Sequence, residues 1–200
     1  MDGQGVHWTS HLSRLRLGAI KLGWDVSWLD GTGPQVAAWM AAAGPVVGRM
    51  QLLPDALSVR LEAIPDHVGS YGLLAMGHPL GDIRSDSRSA HKGLLGAWDI
   101  EARNQAKAKL ADDALLLWPD GTLSETAIAA IGLQVAGKLR MPPKEGRVAS
   151  IAEAIELPLW ASSRGLEVRY GPIRLDEVST GQLWCMNAVR GLWQAEVVQL

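Results

Sequence analysis

The residues best equipped for chemistry lie within positions 91–125, which read H-K-G-L-L-G-A-W-D-I-E-A-R-N-Q-A-K-A-K-L-A-D-D-A-L-L-L-W-P-D-G-T-L-S-E. Lys92 stands at the end of a loop and before a helix, where its amine can attack a carbonyl carbon and then shuttle protons. Glu125 follows a P-D-G turn signal. Taken singly, an isolated lysine is a surface charge and a glutamate after a turn is a helix cap. The ordered combination instead makes Lys92 and Glu125 a candidate nucleophile and carboxylate for one site.

The elements that must position them follow from periodicity. Thr9 or Ser10 can cap a helix whose apolar residues Leu12, Leu15, Ala19 and Leu22 recur every three or four positions, with Gly23 as its stop. Pro34 suits the first turn of a second helix over 35–43, ended by Gly44-Pro45. Residues 57–63 (L-S-V-R-L-E-A) alternate like a strand, and 71–76 form another. The Gly-, Pro-, Asp- and Ser-rich loop 77–89 leads into His91-Lys92 and is the best linker candidate. It divides the chain into an N-terminal α/β part, 1–82, and a C-terminal part, 83–200.

From Leu94 onward, Leu95, Trp98, Ala102, Ala106 and Leu110 define a helix, followed by a buried-looking strand over 114–118. Residues 127–141 carry a hairpin pattern around Ala136-Gly137, closed by Pro142-Pro143. A helix starts at Ser150 and is broken or restarted at Pro158. A strand over 166–170, a short helix over 175–178 and a strand over 182–186 complete the pattern. Mixed elements without regular βαβ alternation favour the α+β class.

Composition narrows the functional classes. Nineteen basic and 21 acidic residues give a net charge of −2, with the cations spread along the chain, so no nucleic-acid footprint exists. The single cysteine, Cys185, rules out an internal disulfide framework, fits a reducing cytoplasm and lies in an apolar run as a buried structural thiol would. Met1-Asp2-Gly3-Gln4-Gly5 lacks a basic and then apolar leader, and apolar runs fall far short of the roughly 20 residues of a membrane span. A soluble cytoplasmic protein is expected. Nine tryptophans with no phenylalanine carry no functional reading.

On these residues the segment 91–191 resembles the C-terminal domain of the class IV aminotransferases, the fold type IV pyridoxal-phosphate enzymes. H-K, then A-D-D-A-L-L-L-W-P-D-G-T-L-S-E-T-A-I-A, then C-M-N-A-V-R-G-L-W, is most similar to the 4-amino-4-deoxychorismate lyase branch. The resemblance implies pyridoxal 5'-phosphate as cofactor, bonded by Lys92, with Glu125 on the pyridine nitrogen. H-L-S-R-L at 11–15 is similar to the family's H-x-x-R-L, so Arg14 would reach the phosphate, which suits a guanidinium fork. Ser150, Ile151 and Ala152 align with a helix N-terminus whose amides hold the phosphate. Asn187 and Ala188 align with a second phosphate-side turn, and Arg190, in N-A-V-R-G, is a candidate anchor for a substrate carboxylate.

The chain departs from the family pattern at Leu95, Ala97, Ala130 and Glu153, and Ala97 speaks against the aminotransferase branch. It begins where the family's N-terminal domain is already under way. The resemblance implies a homodimer acting on a small-molecule amino substrate, with aminodeoxychorismate converted to 4-aminobenzoate and pyruvate for folate. An aminotransferase on a branched-chain or D-amino acid, or a non-catalytic homologue, are the alternatives.

Overall fold

The computed structural model describes residues 7–44, 46–64 and 70–198. The leader expectation for Met1 to Gly5 and the helix-ending Pro45 lie outside the described residues. Two compact units divide the chain, Met1–Val68 and Gly69–Leu200.

In the first unit, α1 (Trp8–Lys21) and α2 (Leu29–Ala42) precede the antiparallel pair β1 (Val46–Leu52) and β2 (Leu57–Ala63). Two helix starts differ from the sequence expectation. His7, in a left-handed conformation, is the N-cap of α1, so Thr9 and Ser10 lie inside the helix and do not cap it. Helix α2 begins at Leu29 and carries Pro34 in its interior. Leu29 is 1% exposed in a core with Ala19 and Val26, and burying such a side chain contributes about 1.5–3 kcal/mol. That packing draws the helix upstream of the proline. Gly33 lets the Leu12 side chain pack close, since a Cβ there would stand 2.7 Å from a Leu12 methyl, which would have to shift.

The second unit is built on one mixed sheet of eight strands in the order β5-β4-β3-β10-β9-β6-β7-β8. Its members are β3 (Tyr71–Gly77), β4 (Asp113–Leu117), β5 (Leu123–Thr126), β6 (Ala130–Val135), β7 (Lys138–Met141), β8 (Glu167–Tyr170), β9 (Gln182–Asn187) and β10 (Gly191–Val197). Strand β3 pairs in parallel with both β4 and β10. Backbone pairing of this unit therefore begins upstream of the loop at which the sequence reading placed its boundary.

Strand alternation sorts the side chains to two faces. Tyr71, Leu73, Leu115, Ile131, Leu133, Leu183, Cys185 and Trp193 form one core, and the register keeps them on a continuous face. The opposite face is covered by α3 (Trp98–Ala108) and α4 (Ile151–Ser163). Ala102 and Ala106 of α3 pack on Ala114 and Leu116, while Ala152 and Leu157 of α4 pack on Leu139, Trp184 and Met186. This is the expected α+β architecture. Cys185 is buried, and burial pushes its thiol pKa up, as expected of a structural thiol.

Two helix expectations in this unit change. Leu94 and Leu95 lie in a turn, because Gly96 at φ +91° interrupts the backbone before α3. Leu110 falls beyond the C-cap Lys109 and is 96% exposed, so it is no part of the buried stripe. Helix α4 runs unbroken through Pro158, since Leu157 and Ala161 are buried on either side of it. Their packing outweighs the hydrogen bond that the proline cannot donate.

The hairpin expectation holds, with Ala136 and Gly137 at positive φ joining β6 and β7. The short helix near 175 is a 3-10 turn, Leu175–Thr180.

Candidate functional site

Glu125 sits within β5, a strand whose residues are all buried. Its Oε1 accepts a hydrogen bond of 3.0 Å from the backbone N–H of Val148. Burial pushes its pKa up to about 7, against the pull of the Val148 N–H and the positive charges of Arg147 and Lys92, while Glu153 adds to the rise. Removing a carboxylate from water disfavours its charged form. Lys92 is thus near enough to act on Glu125 electrostatically, although the two are far apart in sequence.

Lys92 lies in an exposed turn ahead of α3. The turn is anchored by its own backbone, with His91 N–H donating to Arg88 O and Leu94 N–H to His91 O. Ala149 N–H donates to Ala90 O at 3.0 Å, which ties the segment before α4 to the segment before Lys92. A further tie comes from Arg84, whose guanidinium pairs with Asp82 and with Asp120 of the P-D-G turn and lies 5.7 Å from the Trp118 ring centroid. Lysine loop, turn and carboxylate strand are held as one construction.

Ser150 is the N-cap of α4, and its side chain accepts from Glu153 N–H at 3.2 Å. Ala154 N–H donates to Ser150 O. Helix geometry then leaves Ile151 and Ala152 with N–H groups that have no acceptor inside the helix. Such a helix end favours an anion.

Asn187 spends its side chain on the turn after β9. Its Oδ1 accepts from Val189 and Arg190 N–H, and its Nδ2 donates to Ile128 O. Asn187 and Ala188 therefore offer chiefly backbone to a ligand, with one Nδ2 hydrogen besides. The Arg190 guanidinium lies 5.4 Å from the Tyr71 ring centroid and 5.7 Å from that of Trp193. Its Nη1 is buried with no hydrogen-bond partner among the described residues. Arg14 lies on α1 of the first unit, half-buried, and burial lowers its pKa.

Sequence reasoning missed Arg147, Val148 and His78. Arg147 stands in a charged, loop-like stretch, K-E-G-R-V, and nothing in that pattern signals a guanidinium only 2% exposed. Val148 acts through its backbone. His78 is stacked on Trp118 (ring centroids 4.8 Å, 21° between planes) and packed on Trp98, with Nδ1 accepting from Leu80 N–H. Its Nε2 is buried without a partner among the described residues, and burial lowers its pKa to about 4. Among the described residues no helix is long and apolar enough to cross a membrane, and no cluster of metal-binding side chains occurs.

A family model described as amino-transferase class IV matches residues 78–198. No curated protein matches the chain. Among solved structures, 4-amino-4-deoxychorismate lyase from Pseudomonas aeruginosa is 19% identical, with TM-score 0.71 over 94% of this chain and 76% of that one. A fold IV transaminase from Curtobacterium pusillum is 20% identical, with TM-score 0.77 over 98% and 74%. A hypothetical aminotransferase from Mycobacterium tuberculosis, in its PLP-bound form, is 17% identical, with TM-score 0.74 over 98% and 77%. At these identities the structural likeness speaks for the fold, while the family match spans more than half of the sequence. The chain belongs to the amino-transferase class IV family of pyridoxal-phosphate enzymes.

Proposed function

We propose that this protein is a pyridoxal-phosphate lyase that converts aminodeoxychorismate to 4-aminobenzoate and pyruvate, as a cytoplasmic homodimer serving folate synthesis. Residues 83–200 would be its cofactor-binding part. The observation that carries the reading is the buried Glu125, held by Val148 N–H and within electrostatic reach of Lys92. With the α4 amides nearby in sequence, these groups fit a flat cationic ring that bears a phosphate.

When bound, the cofactor supplies an electron sink for the pair left at the substrate α-carbon. Lys92 would hold the cofactor through its aldehyde carbon, and its freed amine would take the substrate α-proton. Glu125 would keep a proton on the pyridine nitrogen, since an adjacent anion stabilises that charge. The Ile151 and Ala152 N–H groups and the Ala188 backbone would hold the phosphate. Arg190 would orient the substrate carboxylate. Ala97, in place of the tyrosine that the resemblance expects of aminotransferases, supports elimination over amino transfer.

The test incubates purified protein with pyridoxal 5'-phosphate and aminodeoxychorismate and measures 4-aminobenzoate and pyruvate. Both products should form in equal amounts, and Lys92→Ala should abolish them. Turnover that needs a keto acid and yields no 4-aminobenzoate would replace the lyase with an aminotransferase. A protein that stays colourless with added cofactor would refute both.

A further inference from the structure

Arg147 and Glu153 form a buried, two-pronged ion pair that the proposed chemistry does not use directly. Arg147 Nη1 donates to Glu153 Oε2 at 3.0 Å and Nη2 to Oε1 at 3.1 Å. The same guanidinium donates from Nε to Pro143 O at 2.7 Å and from Nη2 to Pro142 O at 3.0 Å. The two side chains are 2% and 5% exposed. An ion pair this deeply buried gains little from its charges alone, because desolvation cancels most of the attraction. Its geometry is more informative than its energy.

Four hydrogen bonds from one guanidinium close the segment 142–153 onto itself. That closed segment contains Val148, whose N–H reaches Glu125, and Ala149, whose N–H reaches Ala90 beside the lysine turn. It also contains the Ser150 cap and the Ile151 and Ala152 amides at the start of α4. Glu153 is itself the residue whose N–H the Ser150 side chain accepts. The pair therefore grips the helix start from one side and the Pro-Pro exit of β7 from the other. Gly146 adds a stop: a Cβ there would lie 2.8 Å from the Trp118 ring and 2.9 Å from Arg84 Cα. The turn is wedged against the Arg84 loop and has little freedom once the guanidinium is in place.

We infer that Arg147 and Glu153 are positioning residues that set the Val148 amide on Glu125 and the Ile151 and Ala152 amides toward the cofactor phosphate, so that cofactor affinity depends on them although neither touches the cofactor. The inference rests on the proposed cofactor site and adds the device that preorganises it.

The decisive variant is the double substitution Arg147→Met with Glu153→Leu, which leaves no uncompensated buried charge and is expected to fold, with a Tm lowered by the loss of the Pro142 and Pro143 carbonyl partners. Its dissociation constant for pyridoxal 5'-phosphate, read from tryptophan quenching and the visible band, should rise about tenfold or more. Glu153→Gln, which keeps an oxygen for the guanidinium, should bind more tightly than the double variant. Hydrogen exchange should show Val148 and Ala149 amides losing protection in the double variant while those of β6 and β9 keep theirs. A folded double variant with wild-type affinity overturns the inference and leaves the cofactor reading intact. Failure of the wild type to bind pyridoxal 5'-phosphate overturns the cofactor reading itself. Should the double variant not fold, wild-type exchange decides: Val148 and Ala149 amides exchanging at unprotected rates would sink the inference, and strong protection supports it.

Discussion

Replacing Glu125 by glutamine isolates the cost of burying that carboxylate. In the unfolded chain its pKa is 4.5, and in the folded protein burial raises it to about 7. A raised folded pKa means the folded protein holds the proton more tightly. The stabilisation is complete below pH 4.5 and is lost as the pH rises through 7. The shift corresponds to roughly 3 kcal/mol over that window. Glutamine does not titrate, yet it can still accept the Val148 N–H.

Urea unfolding of the cofactor-free wild type and Glu125→Gln at about pH 5, 6, 7 and 8 should therefore show a stability difference that changes by roughly 3 kcal/mol. The wild type gains on the variant toward acid. Contributions from other titrating groups, His78 included, cancel in the difference. Saturating pyridoxal 5'-phosphate should reverse the trend, because a protonated ring nitrogen favours the ionised carboxylate. A wild-type-minus-variant difference that stays flat with pH would refute the argument that Glu125 is desolvated and poised near neutrality.

His78 titrates with the opposite sign: its pKa falls from 6.5 to about 4, so its stabilisation is present above 6.5 and lost as pH falls through 4. His78→Phe, which can keep the stack on Trp98 and Trp118, should lose less stability over that acid window, and an equal loss would contradict the burial argument. Gly146→Ala forces a side chain against Trp118 and the Arg84 backbone at φ +79°, and should cost about 1–3 kcal/mol in thermal unfolding. An unchanged Tm would show that the wedge is loose. Ser150→Ala removes the cap on α4 and should cost about 1 kcal/mol. Cofactor affinity should fall with it, and retention of both would argue that the cap does not set the helix start.

The sequence by itself determined the periodic and punctuated elements. Alternation at 57–63, the Ala136-Gly137 hairpin and the P-D-G turn are local, and each formed where its residues indicated. Lys92 and Glu125 were singled out through the family resemblance, and in the fold the charge of Lys92 acts on the Glu125 carboxylate. Ser150 was legible as a helix start because capping is a contact between near neighbours.

Tertiary structure decided what depended on distant partners. Leu29 and Leu157 were buried strongly enough to carry helices through Pro34 and Pro158, which local propensity alone would break. Glu153, a departure from the family pattern, is explained by its buried pairing with Arg147 across the loop. Val148 reaches Glu125 through a backbone N–H, which every residue but proline carries, so no pattern of side chains could mark it. That is the physical reason the candidate residues could be named from the chain while the scaffold around them could not. Side-chain type announces reactivity locally, whereas burial and backbone hydrogen bonds exist only after the sheet has closed around them.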